Sequence, residues 1–179
     1  LRAMETVLTD AASLLPRGAQ FAAVAYGCTS ATALIGAHRI AELIRAGVPT
    51  PSVTDPVSAL IAACRKLNVT RLGLVSPYIA SVSDQLRLVL SHAGIEVTEF
   101  VSFDEPVEEN VVRIPANDIF NAAIPIGQNP ACDAIFLSCT NLRTLDVIRR
   151  IEMQINKPVL SSNQVLAWHL GELAGLTIS

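Results

Sequence analysis

Residues 134–145 read AIFLSCTNLRTL, and this stretch decides the fold. An apolar run typical of a buried strand ends in a small polar residue, and a Cys-Thr pair and an amphipathic helical pattern follow. Residues 21–34, FAAVAYGCTSATAL, repeat the arrangement with Cys28 in the place of Cys139. Any parallel α/β chain alternates strands with helices, but the shared Cys-Thr placement favours a duplicated α/β unit.

The repetition continues beyond each cysteine, where a helix, a short strand and a second helix follow in the same order. After Cys28 these elements are predicted at 30–46, 48–50 and 55–67, and after Cys139 at 141–155, 158–160 and 162–174. We therefore predict two pseudo-symmetric halves, residues 1–68 and 69–179. Each half is expected to be a parallel sheet with flanking helices, and the active site is expected between them.

The two halves begin differently. The second opens on the strand pattern RLGLVS at residues 71–76, whereas the first opens on a helix predicted at 3–15. A parallel sheet without its first strand would leave an apolar edge. We therefore expect the first half to lack its N-terminal strand, which would precede Leu1.

The composition limits the classes of partner. Of the 179 residues, 51% are hydrophobic and only 16% are charged, and the formal net charge is −3. Without a basic cluster, nucleic acid is not an expected partner, and the apolar runs are too short to span a bilayer. We expect a cytoplasmic protein without a membrane partner. The high apolar fraction further indicates a homo-oligomer.

The cysteines and histidines indicate neither a disulfide framework nor a metal site. The four cysteines, Cys28, Cys64, Cys132 and Cys139, form no CxxC pair, and Cys64 and Cys132 are interpreted as core residues. The three histidines lie far apart along the chain, which argues against zinc. No glycine-rich phosphate loop is present, so we expect no cofactor.

Polar residues follow the predicted strands at their carboxyl ends, where open parallel sheets place their sites. Unpaired N–H groups at a helix start should favour the thiolate form of each cysteine. The hydroxyls and amide nearby form a cradle suited to a small carboxylate, and its members are Thr29, Ser30, Tyr78, Thr140 and Asn141. Asn163, by contrast, is expected to satisfy backbone groups at a helix start.

A structural role is the alternative for each of these side chains. Free cysteine is among the most commonly buried residues, and Tyr78 alone could cover core surface from a helix face. The duplicated position of Cys28 and Cys139 favours the chemical role.

The segments YGCTSAT and SCTNLRT, with KPVLSSNQVLAWH after the latter, resemble the aspartate/glutamate racemase superfamily. Within it they most resemble the maleate cis-trans isomerase and arylmalonate decarboxylase branch. The resemblance implies a cofactor-independent enzyme of two pseudo-symmetric halves that acts on a small carboxylate through one or two cysteines. It matches Cys28 and Cys139 to the catalytic cysteines of the two halves.

The same resemblance implies substrate-binding residues. Tyr78 matches the family's SPY tyrosine, which touches a substrate carboxylate, and Asn110 matches an asparagine of the family. Thr29, Thr140 and Asn141 fit carboxylate-binding positions. One expected substrate-binding asparagine stays unassigned, in line with the strand expected before Leu1.

Both cysteines are present, and this separates the reactions that the resemblance allows. Isomerisation of a maleate-like acid by thiolate addition is the leading prediction. Racemisation or epimerisation at a carbon next to a carboxylate is the alternative. It needs an acid and a base on opposite faces of that carbon, and two thiols could supply them. A decarboxylase would need only Cys139. A non-catalytic pathway protein on the same scaffold, for example in ectoine utilisation, also stays open.

Overall fold

The computed structural model describes residues 3–176 and contains two parallel β-sheets with flanking helices. The strands are β1 (Ala23–Ala25), β2 (Ser52–Thr54), β3 (Arg71–Ser76), β4 (Glu96–Ser102), β5 (Ala134–Leu137) and β6 (Val159–Ser161). The helices are α1 (Ala3–Ser13), α2 (Thr29–Ile35), α3 (Ala37–Gly47), α4 (Pro56–Leu67), α5 (Ala80–His92), α6 (Glu108–Val111), α7 (Ala116–Gln128), α8 (Leu145–Ile155) and α9 (Ser162–Leu173). The predicted α/β class is confirmed.

The larger sheet has the strand order β4-β3-β5-β6, and its neighbouring strands are parallel. Every residue of β5 is buried, as expected of a central strand covered on both faces. Its side chains alternate between two core clusters, with Phe136 in one and Ile135 and Leu137 in the other. The AIFL run is therefore the centre of this sheet.

The smaller sheet pairs β1 with β2 in parallel, and Val24 lies opposite Val53. A third core cluster, which includes Ala12, Ile40 and Ile44, joins α1 to α3. The two helices approach so closely that a Cβ at Gly47 would overlap the backbone of α1 at Thr9. A glycine is therefore required at this helix contact.

Helices of the first half pack on the larger sheet. Leu60 of α4 belongs to the same core cluster as Leu72 and Phe136, and Val165 of α9 completes the contact. Helix α4 of the first half thus packs against the larger sheet. The boundary between residues 1–68 and 69–179 stays a prediction. Within residues 3–176, no helix is long and apolar enough to cross a membrane.

Several predicted element boundaries were wrong. The helix predicted at 30–46 is two helices, because Gly36 adopts a φ of +94° between α2 and α3. The strand predicted at 48–50 lies at Ser52–Thr54, beyond the prolines that interrupt pairing. The helix predicted from residue 141 begins only at Leu145.

Candidate active site

Cys28 lies where the sequence predicts, between β1 and α2. It is the N-cap residue of α2 with an extended backbone, at a φ of −139°, and its side chain is half-buried. The Thr32 hydroxyl donates to the Cys28 carbonyl at 2.7 Å, which anchors the first helical turn. The Cys28 thiol lies 3.5 Å from the Ser30 hydroxyl. We call residues 27–30 the Cys28 loop.

Cys139 follows β5 but does not begin a helix. Residues 138–144, the Cys139 loop, form turns before α8 begins at Leu145. Cys139 has a φ of +95°, a region that a non-glycine residue rarely adopts, and is only 3% exposed. Such strain persists only where the surroundings over-determine it, and it often marks a functional position.

The two loops are joined by hydrogen bonds of side chains other than the two cysteines. Ser162, fully buried at the start of α9, accepts a hydrogen bond from the Thr29 hydroxyl at 2.9 Å. Its Oγ also accepts the Cys139 N–H at 3.0 Å. The Thr140 hydroxyl donates to the Gly27 carbonyl, again at 2.9 Å. The first and second halves therefore meet at the two cysteine loops.

Local sequence patterns did not indicate Ser162 and predicted only a local backbone role for Asn163. Asn163 in fact donates its amide to the Thr140 carbonyl at 2.9 Å and supports the Cys139 loop. The true cap of α9 is Ser161, whose hydroxyl accepts the Gln164 N–H. The only sequence signal for Ser162 was its place directly after β6, at the carboxyl edge of the sheet.

Tyr78 is almost fully buried, and its hydroxyl lies near the Cys139 thiol and the Ser30 hydroxyl, with Cys28 also in the vicinity. Burial, followed by these cysteines, raises the pKa of Tyr78 far above its usual value, so the phenol stays protonated. Tyr26 has a related position beside Cys28, where burial first and then Cys28 raise its pKa to about 12.

The expectation of a favoured thiolate was wrong for Cys139 in this state. Burial raises the pKa of the Cys139 thiol, and the nearby Glu108 carboxylate adds to the rise. The interaction with Tyr78 and the N–H of Asn141, 3.4 Å from Sγ, lower it but do not offset the burial. Cys139 is therefore held as a thiol, the form that donates a proton.

Glu108 is a further site residue, which no sequence motif indicated. Its Oε1 lies 3.8 Å from the Cys139 sulfur and accepts the Asn141 amide at 2.7 Å. Asn110 lies on the same short helix, α6, but its side chain contacts Glu105 and Arg113. Of the two predicted asparagines, Asn141 therefore lies at Cys139, whereas the Asn110 side chain is bonded to Glu105 and Arg113.

The comparison with known proteins decides the family. The family model described as arylmalonate decarboxylase matches residues 2–179. The chain belongs to the arylmalonate decarboxylase family. It is 29% identical over 178 residues to the arylmalonate decarboxylase of Bordetella bronchiseptica, an alignment that covers 96% of this chain and 72% of that protein. The predicted branch of the superfamily is confirmed.

Two further relatives extend this family assignment. The chain is 25% identical over 124 residues to the maleate isomerase of Geobacillus stearothermophilus, which covers 69% of this chain and 49% of that protein. The chain thus spans about half the length of that relative. A structure of unliganded arylmalonate decarboxylase matches with a TM-score of 0.85 and 27% identity, covering 99% of this chain and 78% of that one.

One surface groove lies beside the Cys139 loop, and another lies at the opposite end of the smaller sheet. One, of about 1090 Å³, begins at Thr140 and Asn141 and extends to Trp168 and Lys66. The other, of about 920 Å³, lies at the amino ends of β1 and β2, away from the carboxyl ends that carry the cysteines. Neither thiol lines a groove. The candidate site of this family member is therefore described by the residues of the Cys28 and Cys139 loops and by Tyr78 near Cys139.

The groups at this site fit carboxylate chemistry. Ser30 offers a hydroxyl 3.5 Å from the Cys28 sulfur, and Tyr78 offers one near Cys139, whereas the hydroxyls of Thr29 and Thr140 are already engaged in joining the loops. Within the described part of the chain, no group of three or more His, Cys, Asp or Glu side chains could hold a metal ion. The hydroxyls can bind an anion, and Cys139, as a thiol, can donate a proton.

Proposed function

We propose that this protein is a cofactor-independent enzyme that acts on a small carboxylate through Cys28 and Cys139. The leading reaction is cis–trans isomerisation of a maleate-like acid. The observation that supports it most directly is that both cysteine loops are joined by the buried Ser162, with the buried Tyr78 close to Cys139. The names of the relatives, a maleate isomerase and an arylmalonate decarboxylase, agree with this chemistry.

One substrate carboxylate is proposed to bind at the hydroxyls of Ser30 and Tyr78. Both side chains are almost fully buried, so their hydrogen bonds to an anion would form away from bulk water and be correspondingly strong. Because Tyr78 stays protonated, its hydroxyl is a donor to the carboxylate. Thr29 and Thr140 would contribute by holding the two loops together.

The two thiols would have different tasks. Cys28, which is half-buried, is the better-placed nucleophile; its thiolate forms a bond to one alkene carbon. The π electrons move to the neighbouring carbon, which takes the proton of Cys139. The former carbon–carbon double bond is now a single bond, and rotation about it follows. Cys139 then recovers the proton, the bond to Cys28 breaks and the trans acid leaves, so no external reagent is consumed.

Proton NMR of the purified protein with maleate and with its half-amide, maleamate, tests this reaction directly. We expect the signals of the trans product to appear from at least one of these acids. Conversion of neither, in a sample whose thiols titrate as free, would contradict the isomerase proposal.

Racemisation next to a carboxylate is the second candidate, and the presence of two thiols at one site supports it. It predicts exchange of the α-proton in deuterium oxide, without a cis–trans change. Decarboxylation is favoured by the family model instead and predicts release of carbon dioxide from an arylmalonate. Binding without turnover in all assays would indicate a non-catalytic pathway protein.

A further inference from the structure

The Glu108 carboxylate lies beside Cys139 and Asn141. Its Oε1 accepts the Asn141 amide at 2.7 Å and lies 3.8 Å from the Cys139 sulfur. Ser30, one of the proposed partners of the first carboxylate, instead lies beside the other thiol, with its hydroxyl 3.5 Å from the Cys28 sulfur. Within residues 3–176, none of the ion pairs to Lys, Arg or His involves Glu108.

This position determines what the second end of a substrate encounters. A second substrate carboxylate beside Cys139 would compete with Glu108 for the amide of Asn141. The two anions would also repel each other, and neither could donate a hydrogen bond to the other. A neutral amide has the opposite character, because its N–H groups donate to a carboxylate.

We propose that Glu108 is a specificity-determining residue that selects a small monocarboxylate whose other end is a neutral hydrogen-bond donor, such as a half-amide, over the dianionic diacid. The proposal rests on the proposed function, because it places the first carboxylate at Ser30 and Tyr78. It deepens that function by defining the class of acid that the site prefers.

The chain contains a matched control for Glu108. Glu109 is the next residue of α6 and is also exposed. If the selectivity came only from the negative charge of α6, Glu108 and Glu109 would contribute equally. A direct contact with the ligand would involve Glu108 alone. Glu108→Gln and Glu109→Gln remove the same charge, and glutamine keeps an oxygen that can accept the Asn141 amide.

The first test uses acids that cannot react, so that it does not depend on turnover. Calorimetry would measure binding of succinate, the diacid, and of succinamate, its half-amide, to the wild type and both variants. We expect the wild type to prefer succinamate. In Glu108→Gln that preference should fall by about tenfold, the factor expected for one charged hydrogen bond, and Glu109→Gln should keep it.

Three results would overturn the proposal: equal or better binding of succinate by the wild type, an equal fall in both variants, or binding of neither acid. Thermal melting checks that each variant is folded, which is expected because both side chains are exposed. Turnover of maleate and maleamate separates the two proposals. Selective binding without isomerisation would refute the proposed reaction and keep the role of Glu108. Isomerisation of maleate and maleamate at equal rates, without selective binding, would support the proposed reaction and refute the role of Glu108.

Discussion

The Cys28 loop and the Cys139 loop have similar sequences but different environments. Cys28 is half-buried in extended backbone and begins α2. Cys139 is 3% exposed, has a φ of +95° and precedes a turn. The comparison shows that one Cys-Thr motif can present an accessible thiol in one half and a shielded, protonated thiol in the other.

The difference follows from the strand that precedes each loop. Every residue of β1 is partly exposed, in a sheet that contains two strands within the described residues. Strand β5 lies between β3 and β6 and is buried throughout. Burial excludes water from the end of β5, which disfavours the charged thiolate at Cys139.

The largest expected effect is the loss of either thiol. Cys28→Ala and Cys139→Ala should each reduce turnover by at least about 100-fold, the usual scale for loss of a positioned nucleophile or proton donor. Initial rates of product formation by proton NMR measure this effect. Turnover at the wild-type level in Cys28→Ala would refute the two-thiol proposal.

Cys132→Ala is the control for that pair. The Cys132 thiol is buried and donates to the Ala134 carbonyl at 2.9 Å, before β5 and not at its carboxyl end. We expect the Cys132→Ala variant to keep its activity and to lose some thermal stability.

The next effect concerns alkylation of the free protein. At about pH 7, iodoacetamide should modify Cys28 at least about tenfold faster than Cys139, because reaction requires an accessible thiolate. Since the pKa of Cys139 is raised, its thiolate fraction should increase about tenfold per unit up to about pH 9. Mass spectrometry of the modified peptides measures both rates. Faster modification of Cys139 at neutral pH would contradict the assigned environments.

The tyrosines beside the two thiols give a smaller effect. Tyr78→Phe removes the hydroxyl proposed to donate to the substrate carboxylate and should reduce kcat/KM about tenfold. Tyr26→Phe should have a smaller effect, because the Tyr26 hydroxyl donates to the Met4 sulfur at 3.5 Å. Steady-state kinetics compare the two. Equal losses would mean that Tyr78 has no special role at the site.

The smallest effect is on the free energy of unfolding, which should differ between alanine variants of two buried serines near Cys139. Ser162→Ala removes the acceptor of both Thr29 and the Cys139 N–H and should lower the free energy of unfolding by about 1–3 kcal/mol. Ser138 has a buried hydroxyl without a partner in the described structure, so Ser138→Ala should be neutral or stabilise by about 1 kcal/mol. Urea unfolding measures both. The reverse order would show that Ser162 does not join the two halves.

Local patterns predicted most of the strands and the positions of both thiols. The apolar run of β5 and the Asp55 cap of α4, whose carboxylate accepts the Val57 and Ser58 N–H groups, are encoded by neighbouring residues. The break at Gly36 was missed, because a glycine within an amphipathic pattern is compatible with a continuous helix.

The amino-acid sequence by itself determined the alternation of strands and helices, the duplicated cysteine junctions and the family. Only the tertiary structure placed Ser162 between the two loops and Glu108 beside Cys139, from positions distant in the chain. It also determined that burial keeps Cys139 protonated. Local patterns report on residues a few positions apart, whereas the pKa of a thiol depends on water exclusion and on charges that the fold brings near it.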